Sequence, residues 1–255
     1  MQPATRDNLD SDWWDRIFVF WIGGAVLSPA RRDCLETLSA AECKIHLVTD
    51  ETLASFVLAE APLHPAYPLL SPIHRSDYLR AYFMHFYGGG YTDIKRTSKS
   101  WRGAFAAVRD GDMVGAGYQE LPNGAGRFHR SRILGKHYFL EREVGYLQAY
   151  LRYKVQTARH KSLIGNCAFI FRRETEFTAR WLSIVERRLD LLLPLLRENP
   201  GRYPKEVAGN DYGDGPSRYP VPWSFLLGDI LGPLSLQYRH RLLRILPPPD
   251  FKNYE

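Results

Sequence analysis

Three cysteines in 255 residues, Cys34, Cys43 and Cys167, show no C-x-x-C spacing, so neither a disulfide framework nor a zinc site is expected. Buried free thiols are the expectation. Asn-x-Ser/Thr glycosylation acceptors are absent. No G-x-G-x-x-G follows the first strand-like run, which removes the dinucleotide fingerprint. Gly135-Lys136 lacks the earlier glycine of a phosphate loop, because position 130 is arginine. There is no G-x-S-x-G elbow and no H-E-x-x-H. The eight histidines are scattered without ligand spacing, and His85, inside an aromatic helix, reads as a packed or surface residue. The longest uncharged apolar stretch, Ile17 to Ala30, holds 14 residues and contains Gly23, Gly24 and Pro29, short of the roughly 20 a membrane helix needs. Asp7, Asp10, Asp12 and Asp15 give the N-terminus the wrong charge for a secretory signal. A cytoplasmic protein is the expectation.

What the chain has is an ordinary globular composition, with 45% hydrophobic and 24% charged residues and a formal charge of +6. The length suits a single domain able to bury a sizeable core. The charge is uneven. Residues 1–100 carry 10 Lys+Arg against 12 Asp+Glu, leaving 24 against 16 for residues 101–255. A basic second half can meet nucleic acid, anionic lipid or a phosphorylated small molecule.

The run from Arg16 to Gly24 reads as a buried strand ended by two glycines. Ser28-Pro29 is an N-cap signature opening a helix to about Ala41, and Lys44–Thr49 is a second strand. This β-α-β order predicts two parallel strands with a right-handed crossover, the start of an open α/β sheet whose ligands sit beyond the carboxyl ends of the strands. Ser71-Pro72 opens another helix, to about Tyr87, stopped by Gly88-Gly-Gly90. Leu79, Tyr82, Phe83 and Phe86 form its apolar stripe, with Asp77 and Arg80 roughly opposite and adjacent to each other. Tyr91–Ile94 is a short strand.

Further on, helices are predicted over 100–108, about 140–153 and 175–193, where Pro194 interrupts or restarts the pattern, and strands over 112–118 and 167–171. Residues 119–137 read as a surface loop, and 199–222, with five prolines and four glycines, as a long loop of the kind that carries function. Pro222-Trp223-Ser224 opens an apolar helix. Neither an internal repeat nor a low-complexity tract occurs.

The segment with chemical content is Ser76-Asp-Tyr-Leu-Arg80 followed by Gly88-Gly-Gly-Tyr-Thr-Asp-Ile-Lys95. By itself it is compatible with a surface ion pair, a turn and a solvated strand end. Sheet ends facing one cleft would instead gather Trp21, Asp77, Arg80, Asp93 and Lys95, a set suited to a nucleotide with a pyrophosphate.

The combination of Phe18-Val-Phe-Trp-Ile-Gly-Gly24, Ser76-Asp77-x-Leu79-Arg80 and Gly88-Gly-Gly-Tyr91-x-Asp93 resembles the DxD-containing sugar-binding glycosyltransferases of family 32 and the related toxin glucosyltransferase domains. The resemblance covers about the first 95 residues. It extends loosely to Gly165-Asn166 and Pro222-Trp223-Ser224. It implies a GT-A-like α/β fold, an open, mixed, mostly parallel sheet flanked by helices. In one domain over 1–255, a nucleotide-sugar half spans about 16–118 and an acceptor-side, helical half about 119–255. It also implies a UDP- or GDP-sugar donor, transfer to a glycan or glycolipid with retention, and a divalent ion, Mn²⁺ or Mg²⁺.

Carried onto this sequence, Trp21 would stack on the base, unless it packs in the core. Asp77 would accept from ribose or sugar hydroxyls, Arg80 would hold phosphate through its planar fork, and Tyr91 would position the donor. Asn166, Trp223 and Ser224 would be further donor contacts. Asp93 matches the first acid of the motif and would be the metal ligand; where the family has the second, this chain has Lys95. Lys95 can supply directly part of the stabilisation a metal would give the leaving diphosphate. The expectation is reduced metal dependence, with Asp93 and Lys95 as the catalytic pair; the competing arrangement has Lys95 pointing away and Asp93 holding the metal through water. Asp211 and Asp214, in the long loop, read as turn formers or as groups near the acceptor or a metal.

Two other readings stand beside this one. An inactive relative that binds a nucleotide sugar or glycan is motivated by the incomplete motif. A nucleic-acid binder rests only on the charge of the second half, whose basic residues lack regular aromatic interleaving, and is not expected. A lipid-linked acceptor reached from a basic face at the cytoplasmic side of a membrane is the favoured meaning of the surplus charge.

Overall fold

The structure, a computed structural model, describes residues 13–122 and 124–252. The acidic residues Asp7, Asp10 and Asp12 lie outside the described residues. A six-stranded mixed sheet has the order β2-β1-β3-β7-β4-β8, with β1 at Arg16–Trp21, β2 at Lys44–Thr49, β3 at Gly89–Thr92, β4 at Gly115–Gln119, β7 at Ile164–Phe171 and β8 at Leu242–Arg244. Neighbours pair in parallel except at β7, which runs antiparallel to both β3 and β4. A separate hairpin joins β5 (His137–Phe139) to β6 (Arg142–Val144). Strands from both halves of the chain thus share one sheet.

The sheet is covered on both faces. Alternation along β1 sends Phe18 and Phe20 into one core and Ile17 and Val19 into the other. The first core is closed by α3 (Pro72–Phe86), α6 (Glu176–Glu198) and α7 (Gly228–Gln237) through residues such as Phe83, Trp181 and Ile230. The second lies under α1 (Pro29–Thr37) and α4 (Arg102–Asp110), with Cys34, Phe105 and Val108 inside. The single turn α2 spans Asp50–Leu53, and α5 spans Tyr146–Ala158. Among the described residues no helix is long and apolar enough to cross a membrane.

Several elements depart from the sequence expectations. Only Gly88 stops α3; Gly89 and Gly90 already belong to β3, which ends at Thr92 and leaves Asp93 and Lys95 beyond the strand. Gly88 has φ 63°, and a side chain there would press on the backbone of Arg173. The helix α6 runs unbroken through Pro194, an exposed position where the freed carbonyl is that of the exposed residue Asp190. The loop over 119–137 lies at the surface along most of its described residues but is pinned to the fold by buried Phe128, His129 and Ile133. The helix expected from 140 begins at 146, after the hairpin and the cap at Gly145. Residues 223–227 are turns, and α7 starts only at Gly228. Asp77 and Arg80 do not form a surface pair: both are buried, because α3 packs on nearly every side.

Candidate functional site

A cavity of about 750 Å³ opens beyond the carboxyl ends of β3 and β4 and the amino end of β7, as the sense of those strands requires. Its floor is the segment that leaves β3. The amide of Asp93 bonds the carbonyl of Cys167 at 2.9 Å, which ties this segment to β7. Tyr91 donates to Asp93 Oδ1 at 2.7 Å, Arg80 Nη2 reaches the same oxygen at 3.1 Å, and Lys95 Nζ lies 2.7 Å from Asp93 Oδ2. Lys95 therefore points onto Asp93 rather than away from it. Both carboxylate oxygens are engaged.

Arg80 is the hub of this floor. Beyond Asp93 it contacts Asp77 Oδ1 at 3.5 Å and the carbonyl of Asn166 at 3.3 Å, and its guanidinium lies 4.5 Å from the centre of the Tyr91 ring. Burial alone would raise the Asp93 carboxyl, but Arg80 and Lys95, with hydrogen bonds from Lys95 and Tyr91, hold it well below the usual carboxylate range. Asp77 behaves oppositely. Its burial outweighs the attraction of Arg80, and with Asp93 close by its pKa is pushed up to about 7. One ionised carboxylate and one that titrates near neutrality thus share a single arginine. Cys167, whose Sγ is 3.3 Å from Lys95 Nζ, is pushed up to about 12 by burial and then by Asp93, so it is a thiol at neutral pH.

The walls come from two segments read as loops. On one side Gly124–Ser131 brings Arg127 and Arg130 to the cavity. Its closeness to α7 depends on Gly126, where a β-carbon would fall 2.6 Å from the carbonyl oxygen of Gly228. On the other side Trp223, 60% exposed, stands at the rim beside Ser224. The Ser224 hydroxyl donates to buried Asp229 at 2.7 Å, which leaves its lone pairs for a ligand donor. The loop behind Trp223 is anchored to α3 by Tyr219, whose hydroxyl accepts from the amide of Ser71 at 3.1 Å and meets His74 Nδ1 at 3.0 Å.

Of the residues singled out in the sequence, Asp77, Arg80, Asp93, Lys95, Asn166, Trp223 and Ser224 line this one cavity. Tyr91 supports it from below. Trp21 does not line it: following Ile17 and Val19 in the strand alternation, it packs against the second core and donates from Nε1 to the carbonyl of Ala25. The turn after it is held by Asp50, which accepts from the amides of Gly23 and Gly24 at 2.7 and 3.0 Å. Asp211 and Asp214 are also elsewhere. Asp211 Oδ1 accepts from the amides of Gly213 and Gly215, closing a turn, and Asp214 pairs with Arg202 at 2.8 Å. The sequence reading missed Arg31, Arg127, Arg130 and Lys205, which also line the cavity. For Arg127 and Arg130 the surplus of arginine in 119–137 is the available signal. Among the described residues, Asp77 and Asp93 are the cavity's only acids, against six cations.

Comparisons with protein-family models, with curated proteins and with solved structures found no match to this chain.

Proposed function

We propose that this chain is a GT-A-like glycosyltransferase that moves a sugar from a UDP- or GDP-sugar to a glycan or lipid-linked acceptor, with retention as the resemblance implies. The observation that carries the reading is the Arg80–Asp93–Lys95 cluster at the floor of a basic cavity beyond the sheet ends. A donor diphosphate is an anion that such a cavity would neutralise, with Arg127 and Arg130 reaching it from the wall. As the bond from the anomeric carbon to the diphosphate oxygen breaks, charge grows on that oxygen. Lys95 and Arg80 are fixed in place beforehand to meet it. Asp77 is suited to accept from a sugar hydroxyl, and Trp223 offers an aromatic face at the rim for a sugar or base.

A divalent ion does not fit this donor set. Both oxygens of Asp93 already face Arg80, Tyr91 or Lys95, and an ammonium stands where a second carboxylate would be needed. The reading is therefore a transferase in which Lys95 serves in place of the metal.

Titration calorimetry with UDP, GDP and their sugars, each with chelator and with Mn²⁺, tests this directly. Micromolar binding of one nucleotide class, insensitive to chelator, is expected, together with slow donor hydrolysis that Asp93→Ala abolishes. Turnover lost to chelation and restored by Mn²⁺ would refute the role of Lys95. The same binding with no turnover in wild type would select the inactive, nucleotide-sugar-binding relative, which the full pairing of Asp93 also accommodates.

A further inference from the structure

The charge surplus is concentrated in one segment. Residues 127–161 carry nine Lys and Arg against two acids, Glu141 and Glu143. The segment leaves the cavity wall at Arg127 and Arg130, passes through a tight turn closed by an Ile133–Lys136 bridge, forms the β5–β6 hairpin and ends in α5. The inner side of α5 is secured by buried Ala149 and Gln156 and by the Tyr153 ring, 4.4 Å from that of His129. Its outer side carries an apolar line among exposed Gln148, Arg152 and Lys154. Leu147, Leu151 and Val155 follow one another at four-residue spacing and are 67%, 55% and 48% exposed. The turn adds Leu134, 63% exposed in the left-handed region at φ 52°, where an aliphatic side chain gains nothing from the fold. The turn's end lies against the start of α5 through the His137 and Tyr146 rings, 5.6 Å apart.

We infer that this face, the outer line of α5 with the Leu134 turn, docks on an anionic lipid bilayer surface. The aliphatic line shares this segment with exposed Arg142, Arg152 and Lys154 and with Lys136, which pairs with Glu143 at 2.7 Å, a combination that matches a bilayer interface, where acyl chains receive the aliphatic side chains and acidic headgroups the cations. A nucleic acid would use the cations but leave the aliphatic line in water. A second copy would bring two faces of the same positive sign together. The docking itself does not depend on the sugar-transfer reading; only its consequence does, that an acceptor carried in the bilayer would be presented beside Arg130 at the cavity.

Flotation of the full chain with phosphatidylcholine vesicles, with and without phosphatidylglycerol, at low and high salt, tests the inference without any sugar donor. Binding to the anionic vesicles alone, weakened by salt, is expected. Leu151→Gln and Leu134→Asn should each lower partitioning about fivefold with unchanged thermal melting, since both positions are exposed and asparagine tolerates the left-handed backbone. Equal binding to neutral vesicles, no binding to either, or unchanged binding in both variants would overturn it. So would a dimer that Leu151→Gln dissociates, or a duplex DNA that displaces the vesicles.

Discussion

Lys95 Nζ lies 2.7 Å from Asp93 Oδ2, so the residue two positions after Asp93 closes an ion pair between a buried lysine and a half-buried carboxylate where the resembling family offers a second carboxylate. Removing either partner leaves the other charge in a site largely shut off from water. Such losses cost about 3–5 kcal/mol when a buried pair is broken. Asp93→Asn, which removes the carboxylate shared by Arg80 and Lys95, should fall towards the lower end of that range by urea denaturation, because Arg80 keeps Asp77. Lys95→Met leaves Asp93 with Arg80 and Tyr91, so its cost should be smaller while nucleoside diphosphate affinity falls at least about tenfold, a loss of roughly 1.4 kcal/mol. A Lys95→Met protein that binds nucleotide as tightly as wild type would remove the lysine from the site's chemistry.

Restoring the second acid gives a sharper test. Lys95→Asp should convert chelator-insensitive nucleotide binding into Mn²⁺-dependent binding, because two carboxylates near one another at this floor can share a divalent ion. Calorimetry with and without Mn²⁺ reads the change, and binding indifferent to Mn²⁺ in the variant would count against the substitution of ammonium for metal.

Asp77 predicts a pH dependence whose sign follows from its raised pKa of about 7 against an ordinary 3.8. Its contribution to stability is fully present below the unfolded value, where the carboxyl is protonated in both states. It is lost as pH rises through the folded value, by about 1.4 kcal/mol per unit across the window. Asp77→Asn lacks this term. Relative to wild type, the variant should gain stability steadily from pH 5 to 7 and then level off, measured as urea midpoints at each pH. A constant difference across that range would show that Asp77 does not titrate there.

Gly126 and the backbone of Gly228 are so close that even one methyl group cannot be added without moving the cavity wall. Gly126→Ala should weaken ligand binding and lower the melting temperature together, by a few degrees for about 1–2 kcal/mol of strain. Unchanged melting would mean that the 124–131 segment gives way freely.

Trp223 should separate binding from folding. At 60% exposure it contributes little to the core, so Trp223→Ala should change stability by less than about 0.5 kcal/mol. Its loss should weaken sugar-nucleotide binding severalfold and remove the fluorescence change on titration. No effect on either would place the ligand away from this rim.

The strand, helix and glycine rhythm from residue 16 to 95 was legible because it is local. Alternation in β1, the Ser28 cap, whose hydroxyl accepts from the Arg31 amide, and the stop at Gly88 each need only neighbouring residues. The juxtaposition of Asp77, Arg80 and Asp93 was also foreseeable, since a helix, a glycine stop and a short strand leave few ways to turn back. By contrast, nothing local signals that β7 enters the sheet antiparallel between β3 and β4, which is what brings Asn166 and Cys167 to the floor. The sequence alone therefore determined the β-α-β start, the acids and bases available and the surplus of positive charge. The tertiary structure decided how they are used. Burial raises the Asp77 carboxyl while Arg80 and Lys95 overcome the same burial at Asp93 and hold it low, strand alternation turns Trp21 away from the cavity, and the close passage of Gly126 under Gly228 builds a wall from residues that composition alone marks as loop.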